Sequence, residues 1–144
     1  MIILRTLGEK LEYYSKAVLR IGISIVFLWM GVLQLTNSQL WKEYVPDIII
    51  GIIANPELLV VINGIVHILL GTLLLAGGFT RITAWALSAN LIIILLGTGY
   101  DIIGILTIGM LAGTISIAMT SNDPLRIDNR IRLFRKKKDP ISFD

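Results

Sequence analysis

The chain has 144 residues, enough for one domain. Hydrophobic residues make up 55% of it and charged residues 16%, and the mean hydropathy is +0.80. This composition excludes an ordinary soluble domain and predicts membrane spans. The net charge of +3 indicates an anionic lipid surface rather than nucleic acid, because the basic residues cluster beside apolar segments. The chain contains no cysteine, which excludes disulfides, thiolate catalysis and thiolate-held iron–sulfur clusters.

The N-terminal part of the chain predicts a leader and a first span. In residues 1–15, apolar side chains recur every three or four positions with charged residues between them, which is typical of an amphipathic helix lying on a membrane surface. A signal peptide is not expected, because the apolar start is short and no small-residue cleavage site follows the first long apolar run. The first span is predicted over residues 16–35, about the 20 residues needed to cross a ~30 Å hydrocarbon core.

Residues 36–56 are the one long connection. Apolar residues recur there at helical spacing but are interrupted by Pro46 and Gly51, which predicts a broken amphipathic helix at the membrane interface. Trp41 and Tyr44 would then lie at headgroup depth. A re-entrant segment is the alternative, and it would require shielding of the backbone by protein.

Three further spans are predicted, over residues 57–76, 80–96 and 101–119. The second begins at Asn55-Pro56-Glu57, with an early proline and an acid in the first turn. Glycine-rich turns end the second and third spans, and a proline follows the fourth. The predicted fold class is therefore an all-α integral membrane four-helix bundle.

The distribution of basic residues predicts the orientation of the bundle. Residues 125–144 include Lys136, Lys137 and Lys138 and are expected to form a basic helix on an anionic leaflet. With four spans, twelve of the 13 Lys and Arg residues fall on the side of the termini and only Lys42 falls on the other. The positive-inside rule places both termini in the cytoplasm and the protein in the cell membrane.

The turn that joins the second and third spans carries Arg81, and it falls on the cytoplasmic side in this scheme. Arg81 is expected to mark the cytoplasmic interface. Holding a lipid phosphate is the lesser alternative for this residue.

Polar residues inside the predicted spans are the candidates for function. His67, the chain's one histidine, lies ten residues beyond the start of its span, about 15 Å into the membrane at ~1.5 Å per residue. Asn90 lies ten residues into the next span from the opposite side, so a hydrogen bond between the two is feasible. Asn63 is one turn before His67 on the same helix face, and Gln34 lies nearer the outside.

Two acidic residues, Glu57 and Asp101, are predicted at the outer rim. Together with the buried polar residues they would form an outward-opening pocket in which His67 exchanges a proton or hydrogen-bonds a quinone carbonyl. Burial favours the neutral imidazole unless a carboxylate lies close. The alternative is that His67 and its amide neighbours are interhelical contacts, each worth under about 1 kcal/mol.

Metal and haem sites are poorly supported by the residue inventory. One histidine and no cysteine cannot build a zinc or copper site within one chain. Haem would require His67 alone, or one His67 from each of two protomers, and the chain offers no second protein ligand.

Four stretches of the sequence follow the order and spacing of a known family. They are Arg20-Ile21-Gly22 running to Trp29-Met30-Gly31, His67-Ile68-Leu69-Leu70-Gly71, Gly77-Gly78-Phe79-Thr80-Arg81, and Asp101-Ile102-Ile103-Gly104. In these residues the chain resembles the DoxX/DoxD-like family of small four-helix membrane proteins, over about residues 16–128. In that pattern an acid often stands where this chain has His67, and an arginine often stands where it has Tyr100. Any role of that acid is therefore either absent here or carried by a histidine.

The resemblance implies membrane redox work, since family members occur as subunits of a thiosulfate:quinone oxidoreductase, beside terminal quinol oxidases and in oxidative-stress assemblies. The leading hypothesis is thus a subunit of a quinone-linked respiratory complex that anchors partner subunits and lines a quinone pocket with His67, Asn63 and Asn90. An accessory lipid-binding subunit without chemistry is the second hypothesis. A small transporter, with the same polar residues as its site, is the third.

Overall fold

The computed structural model describes residues 2–51, 55–98 and 101–119, so the predicted basic tail lies outside the described residues. Within this part of the chain all regular structure is helical. The helices are α1 (Ile2–Thr36), α2 (Ser38–Trp41), α3 (Asp47–Ile50), α4 (Pro56–Ala76), α5 (Thr80–Thr98) and α6 (Ile102–Met119), with a 3₁₀ turn at Lys42–Tyr44. Four of these helices contain a segment long and apolar enough to cross a membrane, which confirms the predicted four-span, all-α fold.

Helix α1 differs from the prediction of a separate leader helix. It runs without a break from Ile2 to Thr36, and its 35 residues correspond to about 52 Å at ~1.5 Å per residue, well beyond a ~30 Å hydrocarbon core. The apolar segment suited to the membrane is Tyr14–Thr36. No proline or glycine separates Leu11 from Arg20, so the chain has no reason to leave the helix at the predicted boundary.

Helix α4 has the predicted start and stop. The Asn55 side chain accepts a hydrogen bond from the Leu58 N–H at 3.2 Å, and Pro56 occupies the first turn, where its missing N–H costs nothing. At the other end Gly77 has φ 76°, and the N–H of Gly78 bonds the Leu73 carbonyl at 3.1 Å. This left-handed glycine cap ends the helix and turns the chain into α5.

The long helices pack as two antiparallel pairs, α1 with α4 and α5 with α6. Glycine allows the closest approach within the first pair. A Cβ atom on Gly31 would lie 2.8 Å from the Gly64 carbonyl oxygen, and one on Gly64 would lie 3.1 Å from the Gly31 carbonyl oxygen. In the second pair the Ser88 hydroxyl donates to Thr114 Oγ1 at 2.8 Å.

One end of the bundle, called the arginine end here, is defined by Arg20 and Arg81. The Arg20 guanidinium is buried and donates from Nη1 to the carbonyls of Leu74 and Leu75, both at 2.6 Å, which caps α4. Arg81 Nε donates to the Ala118 carbonyl near the end of α6 at 3.2 Å. Cations at helix C-termini satisfy free carbonyls and complement the helix dipole. The buried apolar cluster, which lies mostly in this half, comprises Phe27, Leu74, Ala84, Leu87, Leu91, Ile117 and Ala118.

At the opposite end, the connecting segment (residues 37–51) crosses the bundle as short helical pieces, in keeping with the predicted broken helix. Glu57 at the start of α4 accepts hydrogen bonds from Ser38 Oγ at 2.9 Å and Gln39 Nε2 at 2.5 Å. Gly97 near the end of α5 lies directly under the segment, because a Cβ atom there would collide with the carbonyl oxygen of Tyr44 and the ring of Pro46. The segment is therefore attached to both helix pairs.

Candidate functional site

A cavity of about 300 Å³ lies between the connecting segment and the adjacent halves of the four long helices. Most of its wall is apolar. The side chains that bring polar groups from the long helices to the wall are Gln34, Asn63, His67, Asn90, Thr98 and Thr107. The volume is at the lower end of the range typical of small-molecule sites.

Four of these residues, Gln34, Asn63, Asn90 and His67, form one continuous series of hydrogen bonds, called the amide–histidine chain below. Asn63 Nδ2 donates to Gln34 Oε1 at 3.1 Å, and Asn90 Nδ2 donates to Asn63 Oδ1 at 2.9 Å. Asn90 Nδ2 also lies 2.9 Å from His67 Nε2. The chain therefore links α1, α4 and α5.

The orientation of the Asn90 amide determines which tautomer of His67 fits this contact. An amide nitrogen has hydrogens and no lone pair to offer, so Asn90 Nδ2 donates and His67 Nε2 accepts. In the neutral imidazole the proton then lies on Nδ1. That atom is buried and has no hydrogen-bond partner among the described residues. The ring edge packs against Phe27, with ring centroids 5.2 Å apart.

Helix geometry explains why these residues meet. Asn63 and His67 are four residues apart on α4 and so share one face. The close approach of Gly31 and Gly64 brings α1 against α4, and Gln34 Cβ lies within 3.2 Å of where a Gly64 Cβ would be. The tight turn into α5 makes that helix an antiparallel neighbour, which places Asn90 opposite both polar residues of α4.

Glu57 and Asp101, the two carboxylates predicted at the outer rim, take no part in the amide–histidine chain. Glu57 is engaged by the connecting segment through Ser38 and Gln39. Asp101 is exposed, and its Oδ1 accepts from the Ile102 N–H at 3.1 Å at the start of α6. Neither residue lines the cavity. With no carboxylate on the described cavity wall, nothing there favours a charged His67.

The residues predicted to lie at the membrane interface differ in their surroundings. Trp41 and Tyr44 both line the cavity and their rings lie 6.0 Å apart, so they form part of its wall. Arg81 is exposed apart from its bond to Ala118. Lys136, Lys137 and Lys138 lie outside the described residues.

Arg20 lies within the predicted first span, and the structure buries it as a cap of α4. The position of Arg20 in the sequence could have predicted this burial, because an arginine four residues inside a predicted span has to find acceptors within the protein. The glycines that bring α1 and α4 together gave a weaker signal, since glycine is common in membrane helices. The closure of the cavity by the connecting segment had no signal in the local pattern.

The arrangement can bind a small, largely apolar molecule that carries a hydrogen-bonding head group. No bond joins the second amide atom of Gln34, Nε2, to any other described residue, which leaves a donor at the end of the amide–histidine chain. The described residues contain no group of three or more His, Cys, Asp or Glu side chains placed to hold a metal.

Comparison with known proteins identifies one family, described as DoxX, which matches residues 15–97. The match covers more than half of the chain and includes α4, the connecting segment and nearly all of α5. No curated protein and no solved structure matches the chain.

Proposed function

The chain belongs to the DoxX family, and we propose that it is the quinone-facing membrane subunit of a respiratory or related redox complex. In this role it lines a quinone pocket with the amide–histidine chain and anchors the partner subunits that supply electrons. The proposal joins two lines of support. Family membership supports a small multi-pass membrane protein with the redox associations that the resemblance implies, and the cavity supports the ligand class.

The observation that carries the proposal is a polar chain in the wall of an otherwise apolar cavity. Hydrogen-bonding groups in a membrane protein interior are costly unless they are paired. Gln34 is 4% exposed as a residue and lines the cavity, and the bond found for its amide is the one that Oε1 accepts from Asn63, so Nε2 can donate to a ligand. A quinone carbonyl is an acceptor without a donor hydrogen, and it can therefore accept a hydrogen bond from Gln34 Nε2.

The remaining wall suits the rest of a quinone. Met30 and Val66 contribute apolar surface from α1 and α4, and Pro46 and Ile49 contribute it from the connecting segment. These side chains would exclude water and contact the ring and the start of its apolar tail. When bound, the quinone supplies the redox chemistry, while the residues of this chain bind and orient its head group.

Direct quinone binding tests the proposal. The purified protein in nanodiscs should bind a short-tailed ubiquinone analogue, and Gln34→Met should weaken binding by up to about tenfold, since one hydrogen bond is worth roughly 0.5–1.5 kcal/mol. The matched control is Ser88→Ala, which removes an interhelical hydrogen bond from a residue that does not line the cavity. Equal affinities for the wild type, Gln34→Met and Ser88→Ala would contradict the assigned pocket.

Purification in a gentle detergent tests the subunit role. Oxidase or thiosulfate-oxidising subunits, together with a retained quinone, should accompany the chain. Recovery of the chain alone with lipid would contradict that role.

The second candidate is a structural subunit without a ligand, favoured by the fact that the amide–histidine chain joins three helices. His67→Leu separates the two functions. A quinone-facing subunit should lose quinone reduction while the complex still assembles. A structural subunit should lose assembly or show little change.

A further inference from the structure

The amide–histidine chain has a direction in the structure. Asn90 Nδ2 donates to both Asn63 Oδ1 and His67 Nε2. Asn63 Nδ2 in turn donates to Gln34 Oε1. Gln34 consequently presents its carbonyl oxygen to Asn63 and retains its N–H groups for other acceptors. His67 is the Nδ1–H tautomer in this direction.

The opposite direction uses the same positions. If each of the three amides turns by half a rotation, its nitrogen and oxygen exchange places, and the two have nearly the same size and shape. His67 Nε2–H would then donate to the Asn90 oxygen, Asn63 would donate to Asn90, and Gln34 Nε2 would donate to Asn63. All three contacts are kept, but Gln34 now retains its carbonyl oxygen for another donor.

Neither direction is locked by the neighbouring residues. The only end of the chain that could fix it within the protein is His67 Nδ1, and that buried atom has no partner among the described residues. In the observed direction it is an unpaired N–H, and in the reverse direction an unpaired lone pair. Because Nδ1 has no partner among the described residues in either case, this end of the amide–histidine chain does not fix the direction.

We propose that the amide–histidine chain reverses as a unit and thereby lets one cavity recognise both redox forms of its ligand, an inference that rests on the proposed quinone site. An oxidised quinone carbonyl accepts from Gln34 Nε2 in the observed direction. The hydroxyl of the reduced form donates to Gln34 Oε1 in the reverse direction. Gln34 is the specificity-determining contact, and Asn63, Asn90 and His67 are positioning residues.

The reversal keeps atoms and charge in balance. The amides only rotate about single bonds, and no covalent bond in them changes. His67 loses one proton from Nδ1 and gains one at Nε2 by exchange with solvent water, so its number of bound protons is unchanged. The imidazole is neutral before and after.

His67 is the single histidine of the protein, so its tautomer can be measured directly. Protein labelled with ¹⁵N-histidine, reconstituted in nanodiscs, gives ring-nitrogen signals from His67 alone. These signals are recorded with saturating decylubiquinone and with its reduced quinol, and binding of each form is measured separately. The expected result is the Nδ1–H tautomer with the oxidised form and the Nε2–H tautomer with the reduced form.

Variants test whether the amides carry the signal. Asn63→Leu interrupts the chain in its middle and Gln34→Met removes its end, so each should abolish the difference between the two ligands. Ser88→Ala is the matched control, because Ser88 does not line the cavity and its hydroxyl donates to Thr114 Oγ1 at 2.8 Å. This variant should retain the difference.

Each contrary result has a distinct meaning. If both forms bind the wild type with the same His67 tautomer, the reversal is wrong while the quinone site stands. If the tautomer difference persists in Asn63→Leu and Gln34→Met, the ligand acts on His67 without the amides, and the reversal is again wrong. If neither form binds the wild type, the proposed quinone site is wrong and this inference falls with it.

Discussion

Asn90 is the residue on which the buried polar contacts converge. Its amide nitrogen lies 2.9 Å from both Asn63 Oδ1 and His67 Nε2, so one side chain satisfies acceptors at two positions of α4. Removing it would leave both acceptors without a donor. The cost of a buried unpaired group, about 1–3 kcal/mol, exceeds the ~0.6 kcal/mol typical of a single hydrogen bond between membrane helices.

The variant Asn90→Leu keeps the side-chain size and removes both bonds. We expect it to lower the free energy of unfolding by roughly 1–3 kcal/mol because an acceptor on the buried His67 and one on the partly buried Asn63 lose their donor. Denaturant or thermal unfolding in detergent, followed by helical circular dichroism, measures the change. Ser88→Ala is the control, since it removes one interhelical bond elsewhere on α5. A stability loss for Asn90→Leu no larger than that of Ser88→Ala would show that the convergence has no energetic weight.

At the scale of the helices, two glycines of α1 have opposite surroundings. A Cβ atom on Gly31 would lie 2.7 Å from Ile68 Cγ1 and 2.8 Å from the Gly64 carbonyl oxygen, whereas a Cβ on Gly22 would meet nothing within 4 Å. The contact with the Gly64 backbone cannot be relieved by a side-chain rotation. The α1–α4 spacing therefore depends on Gly31 and not on Gly22.

We expect Gly31→Ala to destabilise the bundle by about 1–3 kcal/mol, the usual cost of overpacking. Gly22→Ala should instead be neutral or stabilising by about 0.5–1 kcal/mol, because glycine is a poor helix former. Unfolding of both variants under the same conditions measures the contrast. Equal effects of the two substitutions would mean that the helices can separate at Gly31 without cost.

The connecting segment is held over the cavity by side chains that meet Glu57. Ser38 and Gln39 both donate to its carboxylate, while Gly97 provides the flat surface on which Tyr44 and Pro46 rest. The segment thus separates the cavity from its surroundings at this end of the bundle. Exchange of a ligand by this route requires it to lift.

We expect Glu57→Ala to accelerate ligand dissociation several-fold, because it removes the hydrogen bonds from Ser38 and Gln39. Each bond is worth roughly 0.5–1.5 kcal/mol, and the bond from Gln39 contributes less because it is exposed. Stopped-flow release of the quinone analogue and hydrogen exchange of the segment report the two parts of the effect. Asp101→Asn is the control, because this acid lies at the same end but contacts only the start of α6. Unchanged release rates in Glu57→Ala would indicate that ligands enter between the helices instead.

For the whole molecule, the distribution of basic residues predicts an orientation in the membrane. Arg20 and Arg81 lie at the arginine end of the bundle, and Lys42 lies in the connecting segment at the other. The distribution of twelve basic residues against one predicts that the arginine end faces the cytoplasm and the cavity faces outward.

The cysteine-free chain allows this orientation to be tested with single cysteines. Asn37→Cys, in the exposed part of the connecting segment, should react with a membrane-impermeant maleimide in intact cells. Gly78→Cys, in the turn between α4 and α5, should react only after the membrane is permeabilised. The opposite labelling pattern would reverse the orientation and place the cavity on the cytoplasmic side.

The sequence by itself determined the features that depend on local pattern. Apolar runs of membrane-spanning length, the Asn55 cap and the glycine turn at Gly77 predicted the four spans and their main boundaries, because each arises from interactions between residues close in the chain. The feasible contact between His67 and Asn90 also followed, since the rise per residue of a helix is constant and the two side chains lie 2.9 Å apart in the structure.

Only the tertiary structure decided how the helices are rotated and how closely they approach. Depth does not specify which face of a helix meets its neighbour, so the series from Gln34 to His67 and the tautomer it implies depend on the packing of three helices. The same holds for Arg20, whose acceptors lie 54 and 55 residues further along the chain. The cavity too depends on a segment folded back over the bundle, a long-range contact that no local periodicity encodes.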